Sequence, residues 1–232
     1  MGKILLLEDD KSLNRGISFK LKKEGFEVET AFCIEEAKNI FDKTLLNKSF
    51  LYIYENKITS EIEFFEMKCS KNNFLHLTGT DTKLNGKMFY SALEENKLSL
   101  EEIGYKNNGT TRLKLDIFPR LPLLFNSAIQ VCFQDEFFTL KLKVDIMINK
   151  SRLDQKDIIL GLKKDKKYNF YVPASILKKE PREIGKNFSQ VLCILEKNKD
   201  DINYNKIKYA VKNIDINCLL KSIPMNIEIL KD

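Results

Sequence analysis

Apolar and polar positions along this chain change rhythm several times, and each change marks an element. The run "KILLL" at 3–7 is short and apolar after Lys3, the pattern of a buried strand. Ser12 can cap a helix that carries Leu13, Ile17 and Leu21 on one face, and Gly25 stops it. "FEVETA" (26–31) follows as a second strand, and Ile34, Ala37, Phe41 and Leu45 then recur at helical spacing. The order β-α-β-α is the opening of a doubly wound sheet. "FLYIYEN" (50–56) and "SEIEFFEMKCS" (60–70) predict further strands, the latter apolar on both faces as in a central strand. "NFLHLTG" (73–79) reads as a strand end turning towards a helix. That helix is expected to begin at Asp81 or Thr82 and to bury Phe89, Ala92 and Leu93. "NNGTT" (107–111) is a turn. The next stretch fits two periods. Leu113, Leu115 and Ile117 alternate as in a strand, whereas Leu113, Ile117, Leu121 and Leu124 make a helical face. Thr110 or Thr111 as N-cap tips it to helix, and Pro119 and Pro122 bend or end it. Strand patterns then dominate at 128–133, 137–148, 157–164, 168–175, 189–197 and 207–214, before a short helix at 215–223. Helices first and antiparallel strands afterwards define an α+β fold.

Composition narrows this picture. A chain of 232 residues has room for one large domain or two small ones. Hydrophobic residues at 43% and charged residues at 31% fit a folded soluble protein and exclude disorder as the main state. The net charge of +6 admits an anionic partner such as RNA or DNA without requiring one. No apolar run approaches the roughly 20 residues that span a bilayer. The acidic "EDD" comes too early for a signal peptide, so a cytoplasmic protein with no membrane partner is expected. Cys33, Cys69, Cys132, Cys193 and Cys218 include no C-x-x-C pair, which argues against a zinc knuckle. No metal and no cofactor is expected. "KKDKK" (163–167) reads as a hairpin tip, either a solvated loop or a contact for a nucleic-acid backbone.

Two stretches resemble known families. "KILLLEDDKSLNRGISFKLKKEGFEVETAFCIEEA" resembles the first third of a bacterial response-regulator receiver domain. In that family an acidic pair after the first strand holds Mg²⁺, and Glu8 and Asp9 match it. The phosphoacceptor Asp that should end the third strand is missing, because "FLYIYEN" ends in Tyr, Glu and Asn. The resemblance implies a truncated fragment over 1–42 that cannot act as a phosphorelay switch, and a degenerate response regulator is the weakest of three functional readings. Two strands are hardly stable alone, so the fragment is expected to pack on the rest.

The second resemblance is longer. "FLHLTG", "FYSALEENKLSLEE", "GTTRLKLDIFPRL", "YVPASILKKEPRE" and "VLCILEKNKDDINYNKIKYAVKNIDINCLL" occur in this order. Together they are similar to the phage-associated barnase–EndoU–colicin–RelE-like (BECR) nuclease domains of phages and mobile elements. The likeness covers 43–222 and leaves 223–232 as a tail. It implies a helical N-terminal part packed on a curved, mostly antiparallel sheet. It also implies an endoribonuclease acting on RNA, or a BECR-like module that has lost activity and binds RNA, a host protein or an antitoxin.

Metal-free RNA cleavage needs a base for the 2′-hydroxyl proton, an acid for the leaving oxygen and positive charge at phosphorus. The chain has one histidine, His76, so a pair of histidines is excluded and its partner must be Tyr, Glu or Lys. Arg112 suits a phosphate because its fork binds two oxygens, with Lys114 two residues on. Thr78, Thr110 and Thr111 can donate hydrogen bonds, and Tyr90 and Tyr171 can stack a base or move a proton. Plainer roles stand beside these: a core histidine, a solvated arginine, turn and cap threonines, and packed tyrosines.

Overall fold

The computed structural model describes residues 3–6, 11–30, 32–98, 102–139, 142–150 and 158–223. The chain starts as its pattern predicts. Strand β1 (Lys3–Leu6), helix α1 (Lys11–Lys23) and strand β2 (Glu27–Thr30) form a β-α-β unit with the two strands parallel. Glu8 and Asp9 lie outside the described residues. Helix α2 (Phe32–Thr44) straddles the boundary expected at 42/43. Its stripe of Ile34, Ala37, Phe41 and Leu45 is buried in the main core.

The main sheet has eight strands. They are β3 (Lys48–Glu55), β4 (Ile62–Lys68), β5 (Ile129–Phe133), β6 (Ile146–Lys150), β7 (Ile158–Lys164), β8 (Tyr171–Lys178), β9 (Ser189–Asn198) and β10 (Lys206–Ala210). Their order is β10-β9-β3-β4-β8-β7-β6-β5, and β9 also pairs with β5, so the sheet curls until it meets itself. All ladders in it are antiparallel except β4–β8, which consists of the single pair Met67↔Tyr171. Among the described residues, this weak joint leaves the β8-facing edge of β4 before Met67 without a strand partner.

Alternation assigns each side chain to a face. On β3, Phe50, Tyr52 and Tyr54 point into the main core, while Leu51 and Ile53 join a second cluster with Leu195 and Leu219. β3 is therefore buried on both sides, as its near-continuous apolar run requires. The main core fills the inner curve with α2, α3 (Lys71–Thr78), α4 (Gly86–Glu94), α5 (Thr110–Ile117) and the 3₁₀ turns Phe118–Leu124. Each fully buried Phe there, such as Phe41, Phe74 or Phe118, contributes about 1.5–3 kcal/mol relative to exposure. On the outer side, α6 (Ile216–Lys221) covers the second cluster. The α+β fold, with helices packed on a curved and mostly antiparallel sheet, agrees with expectation.

Three expected elements differ. "NFLHLTG" is the helix α3 and not a strand, because Ser70 and Asn73 form a capping box and Gly79 ends it in the left-handed region. The following helix starts at Gly86, capped by Asn85, whose side chain accepts from the Met88 N–H. Asp81 instead bridges to Gly104. Of the long run 137–148, only its end enters β6. No helix among the described residues is long and apolar enough to cross a membrane.

Candidate active site

As a helix, α3 sorts its residues by 100° steps instead of by alternation. Asn73, Phe74, Leu77 and Thr78 are buried, and His76 is exposed. The core alternative for His76 is thereby excluded. Asn73 Nδ2 donates to Pro173 O at 2.9 Å, which fixes the start of α3 against β8. Thr78 is fully buried and its Oγ1 donates back to Phe74 O at 3.2 Å, so it closes its own helix. It also accepts from Thr80 Oγ1 at 3.0 Å.

The end of α3 meets the start of α5. A helix C-terminus leaves carbonyls unsatisfied and partly negative. Two α5 side chains answer them. Thr111 Oγ1 donates to Gly79 O at 2.6 Å, and Lys114 Nζ donates to His76 O at 2.6 Å. Thr111 also accepts from the Lys106 N–H at 3.1 Å, which holds the 105–109 loop in place. Thr111 and Lys114 are three residues apart and share one face of α5. Gly79 is required twice over. Its φ is +65°, and a Cβ there would lie 2.9 Å from Lys114 Cδ.

Protonation states follow from this packing. Lys114 is only 9% exposed, and burial, with the charge of Lys106 second, brings its pKa down to about 8. His76 is also shifted downwards, first by partial desolvation and then by the charges of Lys114 and Lys106. Its imidazole is therefore neutral at pH 7 and has a free lone pair. The junction presents one neutral base beside two lysines.

The other expected site residues fall in different places. Arg112 is exposed on α5, and among the described residues no carboxylate pairs with it. Lys114, not Arg112, is the group that reaches across to α3. Thr110 opens α5 after Gly109, which at φ +74° supplies no side-chain cap, and its N–H donates to Asn108 Oδ1 at 3.1 Å. The base-stacking role expected of Tyr90 has no accessible face. Its ring is fully buried, Lys38 and Lys71 lie over it, and its hydroxyl donates to Asp42.

Tyr171 belongs to a second place. It lines a hollow of about 350 Å³ with Tyr54, Phe65, Glu66, Phe133 and Asn169, and His76, Thr111 and Lys114 take no part in it. The hollow opens where β4 and β8 part. Phe65 and Tyr171 meet edge to face at 5.6 Å. Tyr54 donates to Glu63 Oε2 at 2.5 Å, and burial with that bond keeps its hydroxyl protonated.

Sequence reading missed Lys106, whose charge acts on both His76 and Lys114, and Tyr54 and Glu66. Lys106 stands directly before "NNGTT", and the lysine itself carried no signal. Two marks were available for α3: Ser70 three residues before Asn73, and Gly79 at the end.

A curved sheet wrapped around helices, with a histidine and two lysines at a helix junction, makes this a basic α+β domain. The family model described as phage-Barnase-EndoU-ColicinE5/D-RelE like nuclease4 matches residues 33–213, more than three quarters of the chain. The chain belongs to this nuclease-like family. Its match begins inside α2, in keeping with the place of that helix in the main core. No curated protein matches the chain, and no solved structure matches it.

Proposed function

We propose that the protein is an endoribonuclease that cleaves RNA without a metal ion, with His76 as the general base. The observation that carries this is the exposed, neutral imidazole of His76 beside Lys114 and Lys106. His76 takes the proton of a ribose 2′-hydroxyl, and the 2′ oxygen attacks the adjacent phosphorus. Negative charge grows on the phosphoryl oxygens and is met by Lys106, while the exposed Arg112 draws in the neighbouring phosphate. The bond to the 5′ oxygen breaks, and that oxygen needs a proton. The ammonium of Lys114, with a pKa of about 8, gives a proton more readily than an ordinary lysine. Only one of its three donors is committed to the His76 carbonyl. The products are a 2′,3′-cyclic phosphate and a free 5′-hydroxyl.

The test is cleavage of a fluorogenic RNA in EDTA by wild type and His76→Ala, with product ends identified by mass. Cyclic phosphate ends from wild type, and none from the variant, are expected. Undiminished cleavage by His76→Ala would remove that residue from the mechanism.

One observation favours a second reading, a BECR-like module that binds RNA or a host or antitoxin protein without cutting. Lys114 and Thr111 both hold backbone carbonyls of α3, so a structural duty alone accounts for them. Wild-type protein that binds RNA but leaves every strand intact decides for that reading.

A further inference from the structure

The β7–β8 hairpin tip remains unused by this chemistry. Residues 165–170 turn between the strands, with Asp165 Oδ1 accepting from the N–H groups of Lys167 and Tyr168 at 2.8 and 3.2 Å. That turn holds the Asp charge inwards on the backbone and leaves Lys163, Lys164, Lys166 and Lys167 exposed. Tyr168 is 64% exposed, an unusual state for so large a ring. It stacks on Phe170 with centroids 5.6 Å apart and planes 8° from parallel. Lys68 Nζ lies over the Phe170 ring at 4.8 Å, so a cation and two rings gather beside the exposed Tyr168.

The hollow described above is continuous with this tip. Asn169 and Tyr171, the next residues along, line it together with Tyr54, Phe65 and Phe133. The edge of β4 before Met67, which no strand among the described residues covers, adds backbone donors and acceptors to one side. Its volume of about 350 Å³ lies in the range of small-ligand sites, about 300–1,000 Å³. Aromatic faces, hydrogen-bonding edges and a flank of lysines are what an unstacked base on a polyanionic strand needs. A duplex keeps its bases stacked and offers none to such a hollow.

We propose that the 163–171 hairpin and the hollow behind it form a subsite for single-stranded RNA. One base stacks on Tyr168, the next enters the hollow beside Tyr171, and the hairpin lysines hold the intervening phosphates. This deepens the nuclease reading by naming its substrate as unpaired RNA, and it rests on that reading only for the chemistry that follows binding.

The test uses the full chain and a fluorescein-labelled 2′-O-methyl RNA octamer of mixed sequence, which cannot be cleaved by 2′ attack, read by anisotropy. Wild type is expected to bind the single strand and to bind the same sequence as a duplex at least tenfold more weakly. Tyr168→Ala weakens binding about tenfold, the loss of one stacked base. Lys166→Ala with Lys167→Ala weakens it further and lowers the salt dependence. Lys212→Ala, far along the sequence and exposed, changes nothing. Equal binding by wild type and Tyr168→Ala overturns the proposal, as does a preference for duplex or an absence of binding. Tyr171→Phe keeps the ring, so a loss there separates hydrogen bonding in the hollow from misfolding. Binding without cleavage of ordinary RNA would sink the nuclease reading and leave this subsite standing. Cleavage with unaltered binding by Tyr168→Ala does the reverse.

Discussion

The α3–α5 junction and the hollow between β4 and β8 are built from opposite materials. The junction is a set of polar groups that hold one another: Thr111 on Gly79, Lys114 on His76, Lys106 on Thr111. Little area is offered there, but protonation states are moved. The hollow offers ring faces and, among the described residues, an uncovered strand edge, and its hydroxyls are kept protonated. The difference separates two kinds of effect. Changes at the junction should act on rate, and changes at the hollow and its hairpin on affinity.

The largest effect expected is at His76. His76→Ala should lower kcat by about 10²–10⁴-fold, the usual worth of a general base. Its exposed side chain predicts an unchanged melting temperature, and binding of uncleavable RNA should stay within twofold, about 0.4 kcal/mol. A fall in affinity equal to the fall in rate would erase the contrast between the two regions.

The pH dependence sharpens the same contrast. His76 must be neutral and its pKa is lowered, so kcat/KM should rise through a limb below pH 6.5. Lys114 must be protonated, so activity should fall through a limb near pH 8. Lys114→Arg stays charged and should remove the alkaline limb while lowering the plateau. Stability carries the opposite sign. The folded pKa of about 8 lies below the ordinary 10.5, so the unfolded chain binds more protons between them. Wild type should therefore gain stability relative to Lys114→Met as pH rises from 8 to 10.5. The gain is on the order of 3 kcal/mol, less what the bond to the His76 carbonyl returns to the charged form. Chemical denaturation of both proteins across that range reads it.

Thr111→Val comes next. It leaves Gly79 O and the Lys106 N–H without their partner in a fully buried position. A loss of about 1–3 kcal/mol is expected, with Thr111→Ser restoring most of it. With Lys106 released, the His76 pKa should move up towards its ordinary value, carrying the acidic limb with it. Loss of stability with a fixed acidic limb would show that Lys106 does not act on His76.

Much of the fold was legible because its strands announce themselves by length and alternation. β3, β4, β5, β7 and β9 lie within a few residues of where the apolar pattern puts them. α3 was not legible by that route, since "FLHL" is too short for its period to be decided and four apolar-flanked positions suit either structure. The difference matters for His76, which the strand pattern left open between a core and a site role. On a strand it shares a face with Phe74, whereas on the helix it points away from that ring. Thr111 and Lys114 were picked out as chemistry-bearing residues, but their partners are backbone carbonyls 32 and 38 residues away. No local pattern encodes such a contact. The hollow was beyond sequence reading for a similar reason: it exists because β4 and β8 touch at one pair only.

Arg112 carries the smallest prediction, and it tests whether the junction contributes to affinity at all. Thr111 and Lys114 on α5 turn inwards to α3, while Arg112 faces solvent with no carboxylate partner among the described residues. An exposed guanidinium at this point adds positive charge and a two-pronged donor for a phosphate in transit. Arg112→Ala should raise KM about fivefold at low salt, an effect of about 1 kcal/mol that screening reduces as salt rises. Since the side chain is exposed and holds no hydrogen bond or ion pair among the described residues, the melting temperature should not move. Arg112→Lys should recover the charge but not the fork, restoring part of the affinity. A kcat lowered a hundredfold with KM unchanged would place Arg112 at the reacting phosphorus instead, and would give the junction a third catalytic group beside His76 and Lys114.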